Sequence, residues 1–191
     1  GNIGTSYSEN VLYEIQCKKS FIHILEISSY QAEHLYHFSP KISCILNISE
    51  DHMDRYDDMD DYVNAKLNIS KNLSEKTTLI YNDDDEILSK KIQPKDNVIP
   101  FSITQNHIIK PSPNDVDYLQ FENDKHIFKS PLKGTHNFYN ILAATIIANL
   151  YKIKWMDIMQ SIMCFNSLPH RIESLPSHRG VQYINDSKST T

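Results

Sequence analysis

The residues best suited to chemistry form one short run, Ser49-Glu50-Asp51-His52-Met53-Asp54-Arg55-Tyr56, with Lys66 fourteen positions after the histidine. Three carboxylates and an imidazole within five positions are donors for a hard divalent cation and the phosphates it carries. The run follows the apolar stretch Cys44-Ile45-Leu46-Asn47-Ile48, which reads as a buried strand. The cluster therefore falls at a strand's C-terminal end, where open α/β sheets bind ligands. A solvated acidic loop is the competing reading of the same residues.

Other runs carry similar pairs of readings. Glu26-Ile27-Ser28-Ser29-Tyr30-Gln31 closes an earlier apolar run. Glu26 is placed to ligate Mg²⁺ and Ser28 to meet a polar substrate; alternatively, Ser28 caps a following helix. Lys66 either snorkels from an amphipathic helix or has its amine held neutral for a role beside the cluster. In Gly134-Thr135-His136-Asn137-Phe138-Tyr139-Asn140, the asparagines are three apart and share a helical face. Their amides suit the donor–acceptor edge of adenine, against plain capping by Thr135. Pro169-His170-Arg171-Ile172-Glu173 and Asn185-Asp186-Ser187-Lys188-Ser189-Thr190 flank a last strand. Arg171 and Lys188 suit phosphate charge, and Asp186 suits ribose hydroxyls. The acidic runs Asp57–Asp61 and Asp83–Glu86 read as solvated turns.

The elements that must position these residues alternate. Helices are expected over residues 8–17, 60–73, 86–92, 136–151 and 156–164, and strands over 21–27, 42–48, 77–81, 97–101 and 180–184. Residues 118–128 read as a small antiparallel hairpin. The expected fold class is α/β, with a mostly parallel sheet flanked by helices and a small antiparallel excursion.

Composition narrows the class further. The 191 residues carry 40% hydrophobic and 23% charged residues with a net charge of -5, ordinary for a globular protein and adverse to general nucleic-acid binding. Three dispersed cysteines match neither metal nor disulfide spacing and read as reduced core residues. No signal peptide or membrane span is visible, so a cytoplasmic protein is expected. With only four glycines, a G-x-x-x-x-G-K-[ST] phosphate loop is excluded from this chain. The first residue is Gly1, and the chain stops at Thr191 soon after an active-site-like run, so it is expected to be a piece of a larger enzyme.

Taken in order, the runs resemble the Mur ligases, in particular the D-glutamate-adding branch. The matching segments are Gly1-Asn2-Ile3-Gly4, Glu26–Gln31, Asn47–Tyr56, Ala65-Lys66-Leu67, His136-Asn137 with Asn140, Pro169–Glu173 and Asn185–Thr190. The resemblance implies ATP and two Mg²⁺ ions as cofactors. One ion is held by Glu26; the other is held by His52 and by Lys66, which would be carbamylated, and the latter two are the catalytic residues. It implies that Asn137 and Asn140 read adenine, Arg171 meets ATP phosphate and Asp186 the ribose. Asn2 and Ser28 would contact the substrate UDP-N-acetylmuramoyl-L-alanine, with Lys188 and Thr190 near incoming D-glutamate. By the same resemblance, residues 1–167 are a partial central domain lacking its phosphate loop, and 168–191 open the C-terminal ligase domain. The implied activity is amide-bond formation through an acyl phosphate in peptidoglycan precursor synthesis, with this chain alone inactive. A non-catalytic remnant that binds nucleotide or a partner is the alternative. A folate-directed relative lacks its own signatures here.

Overall fold

The computed structural model describes residues 4–51, 53–104, 109–110, 117–121, 124–128, 130–132, 134–166 and 168–188. Asn2, His52 and Thr190 lie outside these described residues. The chain divides into two compact units, Gly1–Leu79 with Pro94–Ile99, and Ile80–Gln93 with Pro100–Thr191.

In the first unit, α1 (Tyr7–Cys17) starts where Ser6 Oγ accepts from the Glu9 N–H, and it ends at Lys18, which takes a left-handed φ of 51°. None of its residues is buried. The next segment carries the expected strand at 21–27, but residues 18–28 hold no strand. Glu14 instead accepts from the Phe21 N–H at 3.1 Å and pairs with the His23 Nε2 at 2.6 Å. Phe21, Ile22 and Ile24 are exposed, Ile24 by 90%. β-branched composition favours extension, but a strand also needs a partner ladder to bury its side chains, and none is supplied among the described residues.

A one-turn helix, α2 (Ser29–Ala32), follows. Ser28 Oγ accepts from the Gln31 N–H while Gln31 Oε1 accepts from the Ser28 N–H. This reciprocal capping satisfies two amide donors that the helix leaves open. β1 (Ile42–Ile45) leads to the acidic loop and then to α3 (Met59–Leu67), which continues into a short 3₁₀ turn at Asn68–Ser70. The run Asp57–Asp61, expected to be a solvated turn, begins α3. Asp58 Oδ1 accepts from the Asp61 N–H at 2.9 Å, and Asp60 and Asp61 occupy the positive first turn. The inner face of α3 buries Tyr62, Val63 and Ala65.

β2 (Thr78–Asn82) and β3 (Val98–Phe101) complete a parallel three-stranded sheet in the order β1-β2-β3. Between them, α4 (Glu86–Lys91) is capped by Asp85, which accepts from the Ile87 and Leu88 N–H groups. Leu88, Ile80, Phe101 and Leu142 are fully buried in the second unit, each burial contributing roughly 1.5–3 kcal/mol.

The second unit also holds an antiparallel sheet of β4 (Ile109–Lys110), β5 (Asp117–Phe121) and β6 (Asp124–Phe128). β4 extends the expected hairpin to three strands. α5 (Thr135–Leu150) buries Ile141, Leu142, Ala143, Thr145 and Ile146, and α6 (Trp155–Cys164) follows. The chain then forms an antiparallel ribbon of β7 (Glu173–His178) and β8 (Val181–Asn185). Arg179 and Gly180 join the two strands, both with positive φ, as a two-residue hairpin turn requires.

Of the cysteines expected in the core, Cys164 is exposed and Cys17 and Cys44 are half-buried. Burial pushes the Cys44 thiol up to about 11. No helix among the described residues is long and apolar enough to cross a membrane.

Candidate functional site

The second unit holds a cavity of about 770 Å³, within the size range of small-molecule sites. Asn137, Asn140, Arg171 and Asp186 all line it, although they are spread across fifty positions of chain. Ile141 and Phe165 are among its apolar lining residues, and His136, which the sequence reading left without a role, lines it as well. Its position directly before Asn137 in the quoted run was the only signal for it.

Two elements bring the four polar residues together. α5 presents Asn137 and Asn140 from one face of its first turns, and Asn140 Nδ2 donates to Asn137 Oδ1 at 3.3 Å. That bond orients the two amide planes with respect to one another. Arg171 and Asp186 both come from the open end of the β7–β8 ribbon, one just before β7 and the other just after β8, where the segments read as separate motifs are knitted into one structure. Asp186 Oδ1 accepts from the Ile172 N–H at 3.1 Å. Asn185 Nδ2 reaches the His170 Nδ1 at 2.8 Å and Glu173 Oε2 at 3.1 Å. The Lys188 N–H donates to the His170 carbonyl at 3.1 Å. His170 and Ile172 both take positive φ, 66° and 46°. For a β-branched residue this is a strained backbone, of the kind that persists where neighbouring contacts hold it.

α5 starts at Gly134, whose φ of 95° disfavours any L side chain. A Cβ there would meet the His136 ring at 2.7 Å. Gly134→Ala is therefore expected to destabilise the chain by about 1–3 kcal/mol and to displace His136 from the cavity edge. Urea unfolding and the His136 ring resonances measure the two effects.

Asp84 lies in the run expected to be a solvated turn, but it serves as a hub. It accepts from Ser102 Oγ at 2.6 Å, the Ile103 N–H at 2.8 Å, Tyr139 Oη at 3.0 Å and the Thr104 hydroxyl. Burial opposes its ionisation, but the hydrogen bonds from Ser102, Thr104, Ile103 and Tyr139 outweigh it and hold its pKa below the ordinary aspartate value. Burial, together with the Asp84 charge, pushes the Tyr139 phenol up to about 12. Asp84 thus fixes the α5 turn that carries Asn140.

The residues expected to hold metal belong to the first unit. Glu26 is exposed at the approach to α2. Ser28 is engaged in capping, so the helix-capping reading of this residue describes its contacts. Lys66 is half-buried on α3, its ammonium 5.0 Å from the centre of the Tyr62 ring. Among the described residues, no three His, Cys, Asp or Glu side chains gather as a cation site. The donor types still suit Mg²⁺: a carboxylate at Glu26 and, on carbamylation, hard oxygen donors at Lys66. In the same unit, Glu33 Oε2 accepts from Arg55 Nη2 at 2.8 Å and Glu33 Oε1 from Tyr56 Oη at 2.7 Å. The hydrogen bonds from Arg55 and Tyr56 hold the Glu33 carboxyl below its usual range.

Comparison with known proteins gives one answer. The UDP-N-acetylmuramoylalanine--D-glutamate ligase of Bacteroides fragilis is 34% identical over 205 aligned residues, covering 100% of this chain and 44% of that protein. The enzyme of the same name from Caldicellulosiruptor bescii is 36% identical, covering 100% of this chain and 42% of its own length. The chain thus spans less than half the length of these curated relatives. Among solved structures, a UDP-N-acetylmuramoyl-L-alanyl-D-glutamate--2,6-diaminopimelate ligase superposes with a TM-score of 0.67 at 22% identity, over 90% of this chain and 38% of that one. The MurF ligase of Thermotoga maritima in complex with ADP gives 0.66 at 17% identity, over 84% and 38%. These structures share the fold. The sequence profile of the Mur ligase middle domain matches residues 8–148, and the chain belongs to that family.

Proposed function

We propose that this chain is the nucleotide-handling part of a ligase that joins D-glutamate to UDP-N-acetylmuramoyl-L-alanine in peptidoglycan precursor synthesis, in the cytoplasm. The observation that carries the proposal is the convergence of Asn137, Asn140, Arg171 and Asp186 on one cavity. An amide pair offers donor and acceptor to the edge of adenine. Apolar Ile141 and Phe165 suit its faces, Arg171 the phosphates and Asp186 the ribose hydroxyls. The names of the relatives support the choice of substrates.

In this reading the alanyl carboxylate attacks the γ-phosphorus of ATP, forming an acyl phosphate and ADP. The D-glutamate amine then attacks the acyl carbon, the C–N bond forms, phosphate leaves with the electrons of the C–O bond, and the nitrogen releases a proton to solvent to give the amide. Mg²⁺, when bound, neutralises the charge that gathers on the transferring phosphoryl oxygens. Glu26, His52 and Lys66 would hold the two ions. For this role the Lys66 amine adds to CO₂ and loses a proton, replacing a cation with an anionic oxygen donor. Asn2 and Ser28 would contact the muramoyl-alanine substrate, and Lys188 and Thr190 the incoming amino acid. The boundary between the central and C-terminal domains is placed after residue 167.

The test is a calorimetric titration of the 191-residue chain with ADP and with GDP. Each amide–base pairing is worth about 1–3 kcal/mol of discrimination, so ADP is expected to bind at least about tenfold more tightly than GDP. Equal affinities would remove adenine reading. The chain by itself is expected to form no ligation product from ATP and both substrates, and any turnover would contradict that expectation.

A further inference from the structure

Two of the segments described above, the end of α2 and the loop before α3, meet at one carboxylate that the proposed chemistry does not use. We infer that Glu33 is a positioning residue, which fixes loop residues 53–56 against α2 and so sets the spacing of the proposed metal donors. The inference rests on the proposed roles of Glu26, His52 and Lys66.

Glu33 lies just beyond α2, seven positions after Glu26. Both its oxygens are committed to the loop, one to Arg55 at 2.8 Å and one to Tyr56 at 2.7 Å, partners 22 and 23 positions away. The Arg55 guanidinium also lies 4.8 Å from the centre of the Tyr30 ring, on α2 itself. Tyr30 and Tyr56 stack at 6.2 Å, and Tyr56 packs on Tyr62 at 5.2 Å. Tyr62 is the ring beneath the Lys66 ammonium. Contacts therefore run unbroken from the Ser28–Glu33 segment, through the loop, to Lys66.

The Glu33–Arg55 pair is partly exposed, and such pairs contribute little to stability, so fold maintenance alone is a poor explanation for a carboxylate whose oxygens are both directed at one loop. Orientation is a better one. Connecting loops are ordinarily the most mobile part of a fold, whereas ligand donors need fixed geometry from the residues behind them. Arg55 supplies a planar charged donor and Tyr56 a rigid one, and the pair defines both the position and the tilt of the loop.

The experiment is a Mn²⁺ titration of the 191-residue chain, with free Mn²⁺ read by electron paramagnetic resonance and melting followed in parallel. The wild-type chain is expected to bind Mn²⁺ saturably, and Glu26→Gln to lose that binding. Glu33→Gln and Arg55→Lys are each expected to weaken it about tenfold, as removing the support of metal ligands does, with melting unchanged. Wild-type affinity in both variants overturns the positioning role and leaves the Glu26 assignment standing. A loss of affinity that merely tracks a lowered melting temperature also overturns it. Absence of saturable binding sensitive to Glu26→Gln in the wild-type chain removes the metal reading, and the role of Glu33 falls with it.

Discussion

Asn140→Ala is expected to reduce the affinity of this chain for ADP by about five- to a hundredfold while leaving its unfolding midpoint unchanged. Asn140 is exposed at the cavity mouth, and its amide orients Asn137 through the 3.3 Å bond between them. Removing it takes away one base contact and the restraint on the second, so the loss covers the range of one amide–base pairing or slightly more, about 1–3 kcal/mol. The fold loses no core contact, and an exposed substitution of this kind changes stability by about 0.5 kcal/mol or less. Calorimetric titration and thermal melting of the same preparation separate the two. Undiminished affinity would mean that adenine is read elsewhere.

Asp84→Ala is expected to destabilise the second unit by about 2–4 kcal/mol. The substitution withdraws the acceptor from the fully buried Ser102, from Thr104 and from Tyr139. Donors left unsatisfied in a half-buried site cost about 1–3 kcal/mol each, less where water reaches them. The effect has a pH signature. Asp84 has a native pKa below the ordinary 3.8, so its contribution is complete above that value and is lost as pH falls through the native one. Tyr139 is raised from 10.0 to about 12, so its contribution is complete below pH 10 and is lost as pH rises toward 12. Denaturant unfolding across this range should show the gap between wild type and Asp84→Ala widest near neutrality and narrowing at both ends. A gap independent of pH would show that the carboxylate is not the acceptor holding these donors.

The sequence was most legible where local signals and burial agreed. The α3 and α5 patterns, the three parallel strands and the hairpin expected at 118–128 follow from periodicity and turn chemistry. The segment at 21–27 failed because Phe-Ile-His-Ile-Leu-Glu-Ile satisfies strand propensity, whereas pairing depends on a neighbour that composition does not reveal. β7 escaped for the opposite reason: Glu173–His178 contains Pro176, which lacks the ladder N–H, and its register shifts beside that residue. Asp84 looked like turn solvent because its partners, Ser102 and Tyr139, lie 18 and 55 positions away. The residues expected around the nucleotide were singled out as motifs, and only the resemblance implied that they meet; the contacts that join them are not written in the motifs. Their meeting depends on the bonds between the 170–173 and 185–188 segments, which only the folded ribbon makes.

The most direct test of the nucleotide assignment is hydrogen exchange of the 191-residue chain with and without saturating ADP. Protection is expected in the first turns of α5, over residues 134–144, and at the base of the ribbon around 171–173 and 185–186. ADP binding that protects other segments and leaves these unchanged would contradict the assignment, as would the absence of binding.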